Sequence, residues 1–182
     1  MGTVDFTFIS GNPGLDLAGT VGHRRHERWE LLESPDDLAR WTVSAGLLDA
    51  PPPVDPTALI AARDLREAIY RLARASCDGT GYGRADRELL NQVAAGMPVG
   101  VRLGDGASVR RVGDLATAMA TVARESVVLL GGPLAREIRE CDEEQCTRLY
   151  LDGSRHRSRR WCDMRECGNR AKAAAFRARH RT

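Results

Sequence analysis

Four of the five cysteines in this 182-residue chain fall into two pairs of equal spacing. Cys141 and Cys146 bracket Asp-Glu-Glu-Gln, Cys162 and Cys167 bracket Asp-Met-Arg-Glu, and fifteen residues lie between the pairs. Thiolates bind zinc tetrahedrally, and two close pairs supply a complete set of four ligands with no open position. A closed four-sulfur site is structural rather than catalytic, so the expectation is one structural Zn2+ held by Cys141, Cys146, Cys162 and Cys167. Two other readings stand beside it. A disulfide pair is disfavoured in a reducing compartment. A zinc site released by thiol oxidation has the same residues and spacing as a static one. Cys77 stands alone in a Ser-Cys-Asp-Gly turn and is read as a small packing residue.

The elements that must position the sulfurs come next. Between the pairs, Leu149 and Leu151 share one side of a strand. Asp152, Gly153 and Ser154 form a turn, and a return strand ends at Trp161, which gives a β-hairpin. After Cys162, Asp163 is placed to cap a helix rich in Ala and Arg that carries Cys167 in its first turn. Knuckle, hairpin and ligand-bearing helix in that order make a treble clef. The surrounding charge is one-sided. From Thr147 to Thr182 there are eleven basic and three acidic residues, a net of +8, whereas the rest of the chain carries 16 basic and 22 acidic residues, a net of −6. A basic end on an acidic body is the pattern of a polyanion-binding module, with a solvated basic tail as the plainer reading.

For a polyanion such as double-stranded DNA, the candidate contacts are basic residues of this segment. Arg170, Arg177 and Arg181 lie within roughly 40° of one another on the last helix, at about 100° per residue. Lys172 is on the same helix, and Arg155, Arg157, Arg159 and Arg160 lie in the connecting segment. Arginine reads guanine edges or binds phosphate. Neutralising about six phosphates predicts a log–log salt slope of about −5. Asn169 and Arg170 have two readings, contact with nucleic acid or hydrogen bonding around the metal knuckle. An RNA- or protein-interaction module is the alternative function, and for RNA the exposed aromatics would have to come from Tyr150, Trp161 and Phe176.

Upstream of Gly131 the pattern is mostly helical. Phe6–Ser10 alternates as a short strand would. Leu15–Arg25 is read as a short helix. Ser34 caps a helix with Pro35 at its first position and Asp36 and Asp37 in its first turn. A proline-rich connector follows, then a long helix capped by Asp55 and a third from Arg84. A hairpin turns at Gly104, Asp105 and Gly106, and an apolar helix is capped by Asp114. The fold class is therefore α+β, a mostly helical domain over 1–132 with a small hairpin and a treble-clef finger over 133–182. The boundary falls within Gly131–Arg136.

With 42% hydrophobic and 29% charged residues the chain reads as soluble and globular. It has no membrane-length apolar stretch, so no membrane association is expected. No signal peptide is expected either, and the expected location is cytoplasmic. No Walker loop, HExxH or GxSxG motif is present, so no enzyme is expected. His23 and His26 are read as facing solvent, Trp41 as core, and Trp29 as core or pocket wall. Asp16, Arg63, Arg66 and Asn91 are polar residues in apolar-patterned segments. Each is open to two readings, the lining of a small-molecule pocket or a hydrogen-bond and ion-pair role.

Cys167-Gly168-Asn169-Arg170, with Ser-Arg-Arg-Trp-Cys before it and Asn-Arg-Ala-Lys-Ala through it, resembles the CGNR-type zinc finger. Leu-Asp-Leu-Ala-Gly-Thr at 15–20, Asp-Leu-Ala-Arg-Trp at 37–41 and Leu-Arg-Glu-Ala-Ile-Tyr-Arg-Leu at 65–72 resemble the ABATE domain that accompanies this finger in bacteria. The resemblance covers nearly the whole chain. It implies a stress-induced transcription regulator whose N-terminal domain senses a small ligand and whose finger binds DNA, with a homodimer compatible with both. For that ligand, Asp16, Thr20, Arg66 and Asn91 are the candidate pocket residues. One position departs from the family: Gly19 precedes Thr20 where relatives often carry an Asn-Thr pair.

Overall fold

In the computed structural model, which describes residues 5–180, local capping chemistry sets most of the helix starts. Asn12 accepts from the amides of Gly14 and Leu15 and opens α1 (Pro13–Ala18). Ser34 and Asp37 exchange side-chain and backbone bonds in a capping box at the start of α2 (Pro35–Ser44). Asp55 caps the 23-residue α3 (Pro56–Asp78), and Asp114 with Thr117 forms a second capping box on α5 (Leu115–Gly131). Between them α4 spans Arg84–Ala94.

The strands are short and paired in twos. β1 (Val21–Gly22) pairs antiparallel with β2 (Trp29–Glu30). β3 (Gly100–Gly104) pairs with β4 (Ser108–Val112), and the turn expected at Gly104, Asp105 and Gly106 falls one residue later, at Asp105–Ala107. β5 (Ile138–Glu140) pairs with β6 (Leu149–Leu151). A π-helical turn at Met164–Gly168 leads into α6 (Asn169–Arg179). The class is α+β, as expected.

The main core lies among α1, α2, α3 and α5, with Leu15, Trp41, Leu65, Ile69, Leu72 and Val122 all nearly inaccessible to solvent. Ile138 of β5 and Leu149 of β6 belong to the same core. The C-terminal module is thus not a bead on a tether. Its first strand pair is a wall of the N-terminal core. Polar contacts reinforce that seam. The Arg148 guanidinium donates to the Thr7 carbonyl at 3.1 Å, the Thr7 hydroxyl at 2.6 Å and the Gly19 carbonyl at 3.2 Å. The Leu151 amide donates to the Ser10 carbonyl at 2.8 Å. Glu140 receives both Arg25, at 2.6 Å, and Arg74.

Two expectations for the N-terminal segment differ from what is observed. Phe6–Ile9 forms no strand, because its neighbour is a side chain and not a ladder: Arg148 takes the Thr7 carbonyl, and only Ser10 meets β6. The helix expected over Leu15–Arg25 stops at Ala18, and the chain turns into β1. Of the two readings of Trp29, core or pocket wall, the second holds: it is 40% exposed and lines a cleft with Gly22 and His23, its ring against Gly22 and edge-on to His23.

Candidate metal centre and the basic surface around it

Cys141 directly follows β5 and Cys146 lies three residues before β6, so the antiparallel pair presents the first two sulfurs across a tight connection. The expected hairpin between the cysteine pairs is therefore placed differently. β6 pairs backwards with β5 across the knuckle, and 152–161 runs as a loop whose Arg160 carbonyl accepts from the Asp142 amide at 2.8 Å. The reason is Asp152. It is buried and accepts the amides of Ser154 at 3.0 Å and Arg159 at 3.0 Å, folding the segment on itself instead of extending it. The second pair sits where Asp163, accepting from the Arg165 amide, caps the π-helical turn that contains Cys167. Gly168 follows, and the Met164 thioether packs over it, where a β-carbon would lie 2.9 Å from the sulfur and displace that side chain.

All four sulfurs lie within 4.8 Å of one another, and all four cysteines are buried. Cys146 and Cys162 Sγ are 3.7 Å apart, and Cys162 and Cys167 Sγ are 3.5 Å apart. A tetrahedron with Zn–S bonds of about 2.3 Å has sulfur–sulfur edges of about 3.8 Å, so these spacings match a four-thiolate zinc site and not disulfide bonds. Hydrogen bonds toward sulfur complete the set. The Cys162 amide donates to Cys141 Sγ at 3.3 Å, and Arg170 Nη2 donates to Cys167 Sγ at 3.0 Å. Hydrogen bonds from the neighbouring Cys146 and Cys162 thiols pull Cys141 far below the ordinary thiol range. The thiols of Cys146 and Cys162 are pushed up by their bonds to Cys141, and Cys167 is pushed up, by burial first, to about 12. Four sulfurs this close ionise together only around a cation, which is the job of the bound metal.

Tyr150 is fully buried beside the cysteines, with Ile9 and Trp161 packed against the cluster. Its hydroxyl donates to the Arg159 carbonyl at 2.6 Å.

The candidate nucleic-acid residues divide by where the fold sends them. Arg159 turns inward. It donates to the Trp161 carbonyl at 2.8 Å and to that of Cys162, and stacks over Tyr150. Arg157 pairs with Glu137, and Arg160 pairs with Asp142 at 2.8 Å while lying over Trp161. Asn169 Nδ2 donates to the Arg165 carbonyl at 2.8 Å, and Arg170 pairs with Glu143 at 3.4 Å besides touching Cys167. The Asn-Arg half of the motif is thus engaged in holding the knuckle. Arg155, Lys172 and Arg177 are exposed and make no ion pair among the described residues, and neither do Arg165 and Arg179. Arg181 lies outside the described residues.

The four candidate pocket residues do not line a common cavity. Arg66 is 1% exposed and fully engaged, reaching Glu30 at 2.6 and 2.8 Å, Glu67 at 3.0 Å and the Thr20 hydroxyl at 3.2 Å. Thr20 Oγ1 also donates to the Leu17 carbonyl at 2.7 Å. Asp16 accepts from the Ser10 amide at 2.9 Å; burial raises its carboxyl above the ordinary range against that bond and the charge of Arg148. Asn91 is exposed on α4. Arg63 is bound to the Leu32 carbonyl at 3.0 Å. These contacts are the hydrogen-bond and ion-pair reading of the same residues.

Sequence reasoning counted Arg148 only as tail charge. Arg148 lies between buried Thr147 and Leu149, just before β6, and its side chain reaches into the N-terminal region. Gly19 is its counterpart. A β-carbon at Gly19 would lie 2.7 Å from the Arg148 guanidinium, so Gly19 leaves room for this arginine.

Among known proteins, residues 11–133 match the ABATE family, described as "Putative stress-induced transcription regulator", and residues 137–180 match the CGNR zinc finger. No curated protein matches the chain. The two matched regions meet where β5 joins the shared core, and the second contains all four metal-site cysteines. On those matches the chain belongs to the ABATE family and ends in a CGNR zinc finger that binds one zinc ion.

Proposed function

We propose that the protein is a cytoplasmic, non-enzymatic transcription regulator whose zinc-held C-terminal module contacts duplex DNA and whose N-terminal helices respond to a small ligand. One observation carries the DNA half. α6 has eleven residues and not one of them is buried, yet its base is fixed to the metal centre through Cys167 and Arg170. A helix that buries no face within its own chain, carries Lys172, Arg177 and Arg179, and is otherwise mostly alanine is shaped to enter a major groove. Arg155 and Arg165 extend the positive surface beside it. Arg159 and Arg170 serve this reading indirectly, by holding the loop and the knuckle. The seam through Arg148, Glu140 and Leu149 supports the other half, because a change among the N-terminal helices is felt by the finger through shared core and ion pairs.

Binding of the zinc-loaded full chain to labelled duplex DNA tests this by fluorescence anisotropy. Lys172→Ala with Arg177→Ala weakens binding at least tenfold with zinc content unchanged, and Cys162→Ser abolishes it. Failure of the zinc-loaded wild type to bind any duplex contradicts the proposal.

A second reading rests on Phe176, which is 57% exposed and stacks on His180 at 4.1 Å. Exposed aromatics beside arginines suit single-stranded RNA. Preference for single-stranded RNA in competition, lost in Phe176→Ala, would favour it.

A further inference from the structure

A groove of about 660 Å³ opens between the N-terminal half of α3, the end of α4 and the start of α5, far in sequence from the finger. Its hollow comes from small side chains. Ala58, Ala61 and Ala62 on α3 face Ala116 and Ala120 on α5, with Leu65 and Met119 beneath them. The volume is that of a small-molecule site, and the lining is predominantly apolar. The charged groups at the groove are two carboxylates, Asp55 and Asp114, both exposed at its mouth; no basic side chain lines it. Arg124, farther along α5, is turned to the Ala94 carbonyl at 3.0 Å.

Each aspartate uses one oxygen as a helix cap. Asp55 Oδ1 accepts from the Ala58 amide at 2.8 Å, and Asp114 Oδ1 accepts from the Thr117 amide at 2.9 Å. The second oxygen of each makes no hydrogen bond among the described residues. Hydrogen bonds from Thr117 hold the Asp114 carboxyl below the ordinary range, so it stays charged. An apolar hollow with two anionic oxygens at its mouth and no cation is complementary to one kind of molecule.

We propose that this groove binds a small apolar molecule bearing a protonated amine, the hydrocarbon in the alanine hollow and the ammonium at Asp55 and Asp114. The inference rests on reading the N-terminal helices as the ligand-responsive part and names where and what they bind. The site is distinct from Asp16, Thr20 and Arg66, none of which lines it.

The test uses three probes of one shape, 4-phenylbutylamine, 4-phenylbutanol and 4-phenylbutyrate, titrated calorimetrically into the zinc-loaded full chain at neutral pH without DNA. The amine binds about fivefold more tightly than the alcohol, and the carboxylate binds weakest. Asp55→Asn with Asp114→Asn keeps both caps, since Asn caps as well as Asp, and brings the amine to the alcohol's affinity. Ala61→Phe, an exposed lining position, fills the hollow and removes binding of amine and alcohol alike with thermal stability retained. Equal affinities for all three probes, or tightest binding of the carboxylate, would overturn the proposal. So would a wild type that sediments as a dimer and is dissociated by Ala61→Phe, because a second copy would then fill the groove. Failure of the ligand-responsive reading looks different: the amine binds as expected, and saturating it leaves DNA affinity unchanged.

Discussion

At the scale of single residues, arginines carry the decisions, and they carry them in opposite directions. Arg170 donates to a metal-binding sulfur, and Lys172, two residues on, is exposed and makes no hydrogen bond or ion pair among the described residues. Arg170→Ala therefore speeds zinc loss to a competing chelator roughly tenfold or more, whereas Lys172→Ala leaves it unchanged. Equal zinc retention in both variants would remove Arg170 from the metal's support. A second residue-scale prediction concerns Glu67, which receives Arg24, Arg28 and Arg66. Burial raises its carboxyl, but the bond from Arg24 and the surrounding positive charge outweigh burial and hold it below the ordinary range. A lowered carboxyl stabilises the fold above its unfolded value, and that contribution is lost as pH falls through the lowered folded value. Glu67→Gln is accordingly less stable at neutral pH and loses less on acidification below about pH 4.5. Urea midpoints measured across pH for both proteins check this, and parallel curves would contradict it.

At the scale of elements, what could be read in advance followed the range of the interaction. Ser34, Asp55 and Asp114 each bond the amide three residues on, so their helices were legible from the chain alone. The β3–β4 hairpin was legible for the same reason, with Asp105 and Gly106 at its tip. The cysteine ligands were legible because a thiolate cage fixes its own spacing. The pairing of β6 was not, since Leu149 meets Glu140 across the knuckle and the burial of Asp152 decides the loop. Nor was the direction of Arg159, whose partners are carbonyls nearby and the ring of Tyr150. The alanine groove was hidden too, because it exists only once α3, α4 and α5 are packed. The β5–β6 pair gives the element-scale prediction. Leu149→Ala costs about 2–5 kcal/mol, and it does so in the unfolding of the whole chain, not of the finger alone. Circular dichroism of the helices with denaturant reads this directly; an unchanged midpoint would mean that the strands lie on the core without contributing to it.

At the scale of the whole molecule, the chain is an acidic helical body and a basic zinc module joined by one continuous core. Chelating the metal should therefore lower the melting temperature of the N-terminal helices as well as unfold the finger, because Ile138 and Leu149 lose their support together. Among the described residues no helix is long and apolar enough to cross a membrane. The charge that remains for a partner is smaller than the composition suggests. Of the basic residues around the metal, Arg148, Arg157, Arg159, Arg160 and Arg170 are engaged within the chain, leaving Arg155, Arg165, Lys172, Arg177 and Arg179 among those described. Five phosphate contacts give a log–log salt slope of about −4 to −5 on duplex DNA. The most direct test is the dissociation constant of the zinc-loaded full chain on duplex DNA as a function of salt concentration. Binding through the exposed basic residues gives that slope, reduced by about 2 when Lys172 and Arg177 are both replaced by alanine. Binding that does not weaken with salt, or a slope that the double replacement leaves unchanged, would contradict it.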